Sequence, residues 1–209
     1  MISSLGNPPI AVMPSLATAA QTTRSLEEQR GDFANRRFLA MPLAGTVGWM
    51  AVGIAGLLLS PGGQVLTLWI ATGSIFYLGI LFSRLTGENF FARGRPKNTF
   101  DSLFLHTVVM ALLVYAIAVP FLRRDYTSLP LTVGILSGLM WVPFSWIIAH
   151  WVGLFHGIAR TVLVTAAWYL FPGARFVAIP AVIVLIYLVT IVILEMRWRG
   201  LQRRGVVSA

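Results

Sequence analysis

The sequence predicts an all-α fold, a polytopic membrane protein built as a six-transmembrane-helix bundle. Three observations predict it. Hydrophobic residues make up 57% of the 209 and charged residues only 11%, with a mean hydropathy of +0.79. A soluble domain carries about 25% charged residues, and a chain of this size has too much surface to hide so much apolar area from water. A bilayer accepts helices that are hydrophobic all round. Second, apolar stretches recur at about the 20 residues needed to cross a ~30 Å hydrocarbon core. Third, the arginines and lysines fall between these stretches, concentrated on alternate connections.

Residues 1–37 read as a flexible cytoplasmic tail. Residues 1–23 lack a basic leader region, Pro8, Pro9 and Pro14 interrupt the mildly apolar part, and Met13 is a second candidate start. The first span covers 38–59 and ends at Ser60-Pro61-Gly62-Gly63, a tight turn. The second runs from 64 to 83 and leads into a polar connection, 84–101. The third, 102–122, takes Asp101 as its N-cap. The fourth (131–149) and fifth (153–171) are joined only by HWVGLFHG, so a turn is expected between His150 and Gly157. A single helix from Leu131 to Phe171 would be about 60 Å long, twice the core thickness. Pro172-Gly173 ends the fifth span, the sixth is 177–194, and a basic cytoplasmic tail, 196–209, follows.

With six spans, Arg24, Arg30, Arg36, Arg37, Arg84, Arg93, Arg95, Lys97, Arg197, Arg199, Arg203 and Arg204 share one face, against Arg123, Arg124 and Arg175 on the other. Positive residues in short connections stay cytoplasmic, so both termini are expected inside, beside anionic lipid headgroups. Basic residues punctuate apolar runs and form no stripe with interleaved aromatics, which argues against nucleic acid. Small residues, Ala44, Gly48, Ala51 and Ala55 on the first span and Gly134 to Gly138 on the fourth, allow close helix approach. For Gly134 and Gly138 this means either internal packing or a homodimer.

Ionisable groups in or near the spans are Glu88, Asp101, His106, His150, His156, Arg160 and Glu195, all expected toward the cytoplasmic half. Such groups are costly in hydrocarbon and are functional candidates. Arg160 has three available fates: snorkelling to the interface, an ion pair with Asp101, Glu195 or Glu88, or an external anion. His156, one turn before it, is expected neutral because the guanidinium opposes its protonation. His106, His150, His156, Arg160 and Asp101 together form a candidate ligand site, with glycines 134, 138, 153 and 157 leaving room and an anionic or amphiphilic ligand fitting the lining. No HEXXH or i,i+4 histidine pair exists, so neither metal nor cofactor is expected. There is no cysteine, no GxSxG elbow and no nucleotide-binding glycine pattern, and no catalytic residue is assigned; Ser74 and Ser137 lack a glycine frame. Trp141, Trp146 and Trp151 around Pro143, and Trp198, read as interface anchors.

The segments RGDFANRR, SRLTGEN…RPKN and WVPFSWIIAHWVGLFHGIART resemble a family of small bacterial integral membrane proteins of unknown function, over roughly residues 25–195. The resemblance implies a bacterial inner-membrane setting and no activity. The leading functional expectation is a small transporter or ligand-binding membrane protein with a polar pocket on the cytoplasmic side. The alternative is a non-catalytic scaffold or partner-binding protein, and the third reading a membrane enzyme or haem protein.

Overall fold

The computed structural model describes residues 24–88, 90 and 98–207, without the side chains of 205–207. The tail up to residue 23 with the Met13 start, and Arg93, Arg95 and Lys97 of the polar connection, lie outside the described residues. Among the described residues the chain is helical, with no strand: α1 (Leu26–Ala34), α2 (Ala40–Leu58), α3 (Pro61–Leu85), α4 (Thr99–Leu113), α5 (Tyr115–Arg124), α6 (Ser128–Gly138), α7 (Trp141–Ile147), α8 (Val152–Leu170) and α9 (Arg175–Val207). Five segments are long and apolar enough to cross a membrane: α2, α3, α4 continued by α5, α6 continued by α7, and Arg175–Arg204 of α9. Their outward faces are apolar, with Leu57, Tyr77, Leu113 and Leu185 all more than 60% exposed. The chain is a multi-pass membrane protein. The segment α8 has 19 residues as well, but it is not among the five; His156 and Arg160 lower its hydropathy.

Prolines decide where the helices start and break. Pro61 opens α3, at a position where an N–H has no helical partner in any case. Pro143 cannot donate to Leu139, four residues earlier, and its ring clashes with that carbonyl. The chain accordingly breaks at Leu139–Met140 and restarts as α7. Pro180 leaves the carbonyl of Phe176 without its helical donor, and that oxygen turns to the backbone of Gly56 on α2, 2.4 Å from where a Cβ would stand. Helix α2 thus seats on α9 through a glycine.

Three sequence expectations are corrected. The segment before the first span contains helix α1, held by a capping box in which Ser25 and Glu28 each accept the other's backbone N–H. The cap of α4 is Asn98, whose side chain accepts the Phe100 N–H at 2.9 Å, and Asp101 lies inside the first turn. The connection expected between His150 and Gly157 is made at Ile148–Trp151, where Ala149 takes a left-handed φ of 49°.

One end of the bundle is tied by arginines. Arg37 bonds Glu195 at 2.8 Å, Arg30 donates to the carbonyls of Trp146 and Ile147, and Arg197 donates to Ala34 and Ile148. The bond to Glu195 raises the pKa of Arg37. The N-terminal flank, the turn before α8 and the last part of α9 therefore meet at the same end. At the opposite end Arg175 lies over Trp168 and donates to Thr127 at 2.8 Å.

Gly56→Ala should lower stability by about 1–3 kcal/mol, since a backbone carbonyl cannot yield to the new methyl and overpacking outweighs helix propensity. Gly73→Ala, with open space around it, should be neutral or slightly stabilising. Thermal unfolding of the two variants in detergent distinguishes them.

Candidate functional site

Arg160 sits eight residues into α8 and is 1% exposed, so it does not snorkel. Its neighbours are neutral. The Nε donates to the carbonyl of Gly134 at 2.6 Å, and the terminal nitrogens donate to the hydroxyls of Tyr187 (3.1 Å) and Ser137 (3.2 Å) and toward His156 Nε2 (3.5 Å). The rings of Trp49 and Tyr187 lie 5.4 Å from the guanidinium carbon, within cation–π range. A Cβ on Gly138 would stand 2.6 Å from Arg160 Cδ, so that glycine is the opening through which the side chain lies along α6. Gly134 and Gly138 thus face Ile183 and Arg160 of the same chain.

The hydrogen bonds settle the state of His156. The Thr190 hydroxyl donates to Ile186 O at 2.8 Å and so must accept from His156 Nδ1, also at 2.8 Å. The proton is on Nδ1 and the lone pair of Nε2 faces the arginine: a neutral ring. Trp141 stacks on it with centroids 4.2 Å apart. Trp141 is accordingly buried, unlike the exposed Trp146 and Trp151.

The carboxylates named as partners for Arg160 lie elsewhere. Asp101 forms a two-pronged ion pair with Arg36, and Glu195 is held between Arg37 and Arg199. Glu88 Oε1 accepts the N–H groups of Leu39 (2.7 Å) and Ala40 (2.9 Å) and the Thr86 hydroxyl, capping α2 from 48 residues away. An anion is favoured there because the first N–H groups of a helix have no other acceptor. The histidines also part company. His106 is exposed on α4 and contacts its own helix at Ser102 O. His150 accepts the Val152 N–H at 3.2 Å in the turn before α8, and burial, then nearby Arg197, lowers its pKa below the usual histidine range. Among the described residues no three His, Asp or Glu side chains converge as metal ligands do.

The room in the bundle is beside this cluster, on the far side of Trp141. A cavity of about 460 Å³ lies between α2, α3, α4 and the α6–α7 break. Its walls are apolar, and Arg36, Glu88, Asp101 and Ser102 are its charged or hydroxyl-bearing lining. Phe38 lines it in a left-handed conformation (φ 61°), 5.1 Å from both Phe33 and Phe144. A bulky residue in that conformation is strained and marks a place held by its surroundings. Of the sequence candidates only Asp101 lines this cavity; His106, His150, His156 and Arg160 do not.

A family model described as a family of unknown function, DUF7010, matches residues 26–197. The chain belongs to DUF7010. No curated protein and no solved structure matches it. The region matched begins with α1 and ends just past Glu195, so it contains every residue of the buried cluster and of the cavity in this DUF7010 chain.

Sequence reasoning missed Trp49, Tyr187 and Thr190. The last two sit one helical turn apart in the otherwise apolar stretch 177–194 of α9, and two polar residues on one face of such a run are the signal of a buried partner. The phenylalanine-rich walls left no periodic trace, because they come from separate helices.

Arg160→Leu strands four acceptors in the core (Gly134 O, Ser137 Oγ, Tyr187 Oη and His156 Nε2) and should cost about 3 kcal/mol or more. Arg160→Lys should not rescue it, since an ammonium cannot present the planar fork. Denaturation in detergent checks both, and a wild-type midpoint for either removes the structural role assigned to the guanidinium.

Proposed function

We propose that this is a ligand-binding membrane protein of the bacterial inner membrane, crossing it six times with both termini in the cytoplasm, and that its site is the cavity between α2, α3, α4 and α6–α7. The observation that carries the reading is the cavity. Its 460 Å³ falls in the range of small-molecule sites, with apolar walls and a few polar groups to fix orientation. Its charged groups come from the Arg36 turn, the end of α3 and the first turn of α4, all at the arginine-tied end. Its walls come from α2, α3, α4 and α7. No residue of α8 or α9 lines it, which favours binding over passage through the bundle.

The span that brings the five to six is α8, the fifth in chain order. The groups that lower its hydropathy are buried, while its outer face is Leu154, Ile158, Val162 and Leu163. At about 1.5 Å per residue, its 19 residues span most of a hydrocarbon core. An even number of spans agrees with the Arg37–Glu195 pair, which joins the two ends of the bundle's chain path. Arginine bias then sets that end in the cytoplasm, against anionic headgroups.

Alkaline phosphatase fused after Arg204 should be inactive and after Gly63 active, and Trp151→Cys, at an exposed position, should label only from the cytoplasmic side. The reverse pattern removes the orientation.

For the site, a dodecanol carrying a diazirine at its chain end should crosslink to Phe76, Phe104 or Phe144 in nanodisc-embedded protein. Ile80→Trp, which fills the cavity, should abolish that labelling and leave labelling of the outward Leu81 intact. Labelling confined to outward residues in the wild type defeats the proposal.

A further inference from the structure

Resting on the cavity reading, we infer that the ligand is an anionic amphiphile, an acidic headgroup on one apolar chain. The carboxylates of this protein can be counted in full. The sequence has seven Asp and Glu, and all seven lie among the described residues. The stretches outside the description (1–23, 89, 91–97 and, for side chains, 205–209) contain no acid.

Every carboxylate is already placed. Glu27 and Glu28 stand in the first turn of α1, and Asp32 pairs with Arg24. Asp101 pairs with Arg36, and Asp125 pairs with Arg175 at the opposite end. Glu195 lies between Arg37 and Arg199. Glu88 takes the N–H groups of Leu39 and Ala40 at the positive start of α2, and Arg37 acts on it electrostatically. The two carboxylates that line the cavity, Glu88 and Asp101, are therefore both offset.

The cations are in excess. At the arginine-tied end nine described arginines (24, 30, 36, 37, 84, 197, 199, 203 and 204) face six carboxylates. Arg30 and Arg197 give their donors to carbonyl oxygens, and neither Arg84 nor Arg203 enters an ion pair. The sequence between Phe90 and Asn98 holds Arg93, Arg95 and Lys97 with no acid, so it cannot supply the missing negative charge.

Arg160 adds a charge inside the bundle. Its donors are spent on neutral groups, but its charge is not offset, because all seven carboxylates lie elsewhere. The guanidinium approaches His156 at 3.5 Å, the neutral His156 ring stacks on Trp141 at 4.2 Å, and Trp141 lines the cavity. A unit charge on the order of 10 Å away, at an effective dielectric of about 20, changes the affinity of a singly charged ligand by on the order of tenfold. The cavity of about 460 Å³ has the size of a small-molecule site, which suits one chain among its apolar walls. The headgroup then lies at the arginine-tied end, where the positive excess is.

The anionic ligand expected from the sequence presupposed a lining of histidines and Arg160, and those groups do not line the cavity. The same sign follows instead from the placement of the carboxylates, and it acts as a field across Trp141 and not through contact with Arg160.

The test is competition against the diazirine–dodecanol label in phosphatidylcholine nanodiscs, read at Phe76 and Phe104 and normalised to the outward Leu81. Three C12 competitors, compared at equal content in the bilayer, differ in headgroup: dodecyl sulfate, dodecanol and dodecyltrimethylammonium. The sulfate should displace the label at about tenfold lower content than dodecanol, and the ammonium should be the weakest. Equal displacement, or the ammonium ahead, overturns the anion inference while the cavity reading stands. Absence of cavity labelling by the probe itself overturns both.

Two variants separate charge from structure, because each breaks the same Arg36–Asp101 pair. Arg36→Gln leaves Asp101 unopposed and should narrow the sulfate preference. Asp101→Asn leaves Arg36 unopposed and should widen it. A shift of both variants in the same direction, or of neither, shows that charge does not govern binding and overturns the inference.

Discussion

A guanidinium that cannot be deprotonated is fixed in the interior of this bundle, and the rest of the core is arranged around its need for acceptors. No carboxylate reaches it among the described residues. Four neutral acceptors and two aromatic faces share the charge. Each then constrains a further residue. Gly138 must lack a Cβ for the side chain to lie along α6, and Gly45 must lack one for the Tyr187 ring to sit where its hydroxyl reaches the arginine. His156 must present a lone pair, so its proton goes to Thr190, whose own proton goes to the α9 backbone. One charge in this way ties α2, α6, α8 and α9 into one register.

The cavity is the counterpart of that tight core. Pro143 breaks the helix at Leu139–Met140, and the restarted α7 places Trp141 between the two regions. One face of the indole packs on His156, and the residue also lines the cavity. The cavity wall is thus braced by the same hydrogen-bonded cluster that fills the other side. At the mouth, Phe38 is held in a strained turn by Phe33 and Phe144, while the next two N–H groups are taken by Glu88.

Composition and segment length made the all-helical membrane fold legible, because hydrocarbon imposes both directly. They also led to α8, whose apolar outer face continues the pattern although its polar inner face weakens the average. The helix α1 was missed although Ser25-Leu26-Glu27-Glu28 carries a capping box, since attention to span length passes over a nine-residue polar helix. The site was less legible. Arg160 stood out because charge is rare in a span, but its partners are two hydroxyls, a carbonyl and a ring nitrogen, groups too common in sequence to single out. Asp101, Glu88 and Glu195 looked like its partners because they were the acids at that end. They were nearer to Arg36, to the start of α2 and to Arg37, where a carboxylate can stay hydrated or take helix N–H groups instead of being desolvated.

That partition bears on where function lies. A buried charge in a membrane helix is a functional candidate by default, because its cost demands a return. Here the return is structural: the guanidinium's donors are turned to groups of the protein, the packing around them is closed, and an anion could approach only by displacing Gly134 O or the Tyr187 hydroxyl. A group that is fully used by its own fold has no donor left for a ligand. The room for a ligand lies instead at the cavity, whose lining is largely apolar with Arg36, Glu88 and Asp101 among its residues. Recognition needs room and groups not yet spent on the fold, so the residue that is costliest to bury marks the core of this protein, and the cavity beside it is where a site is proposed.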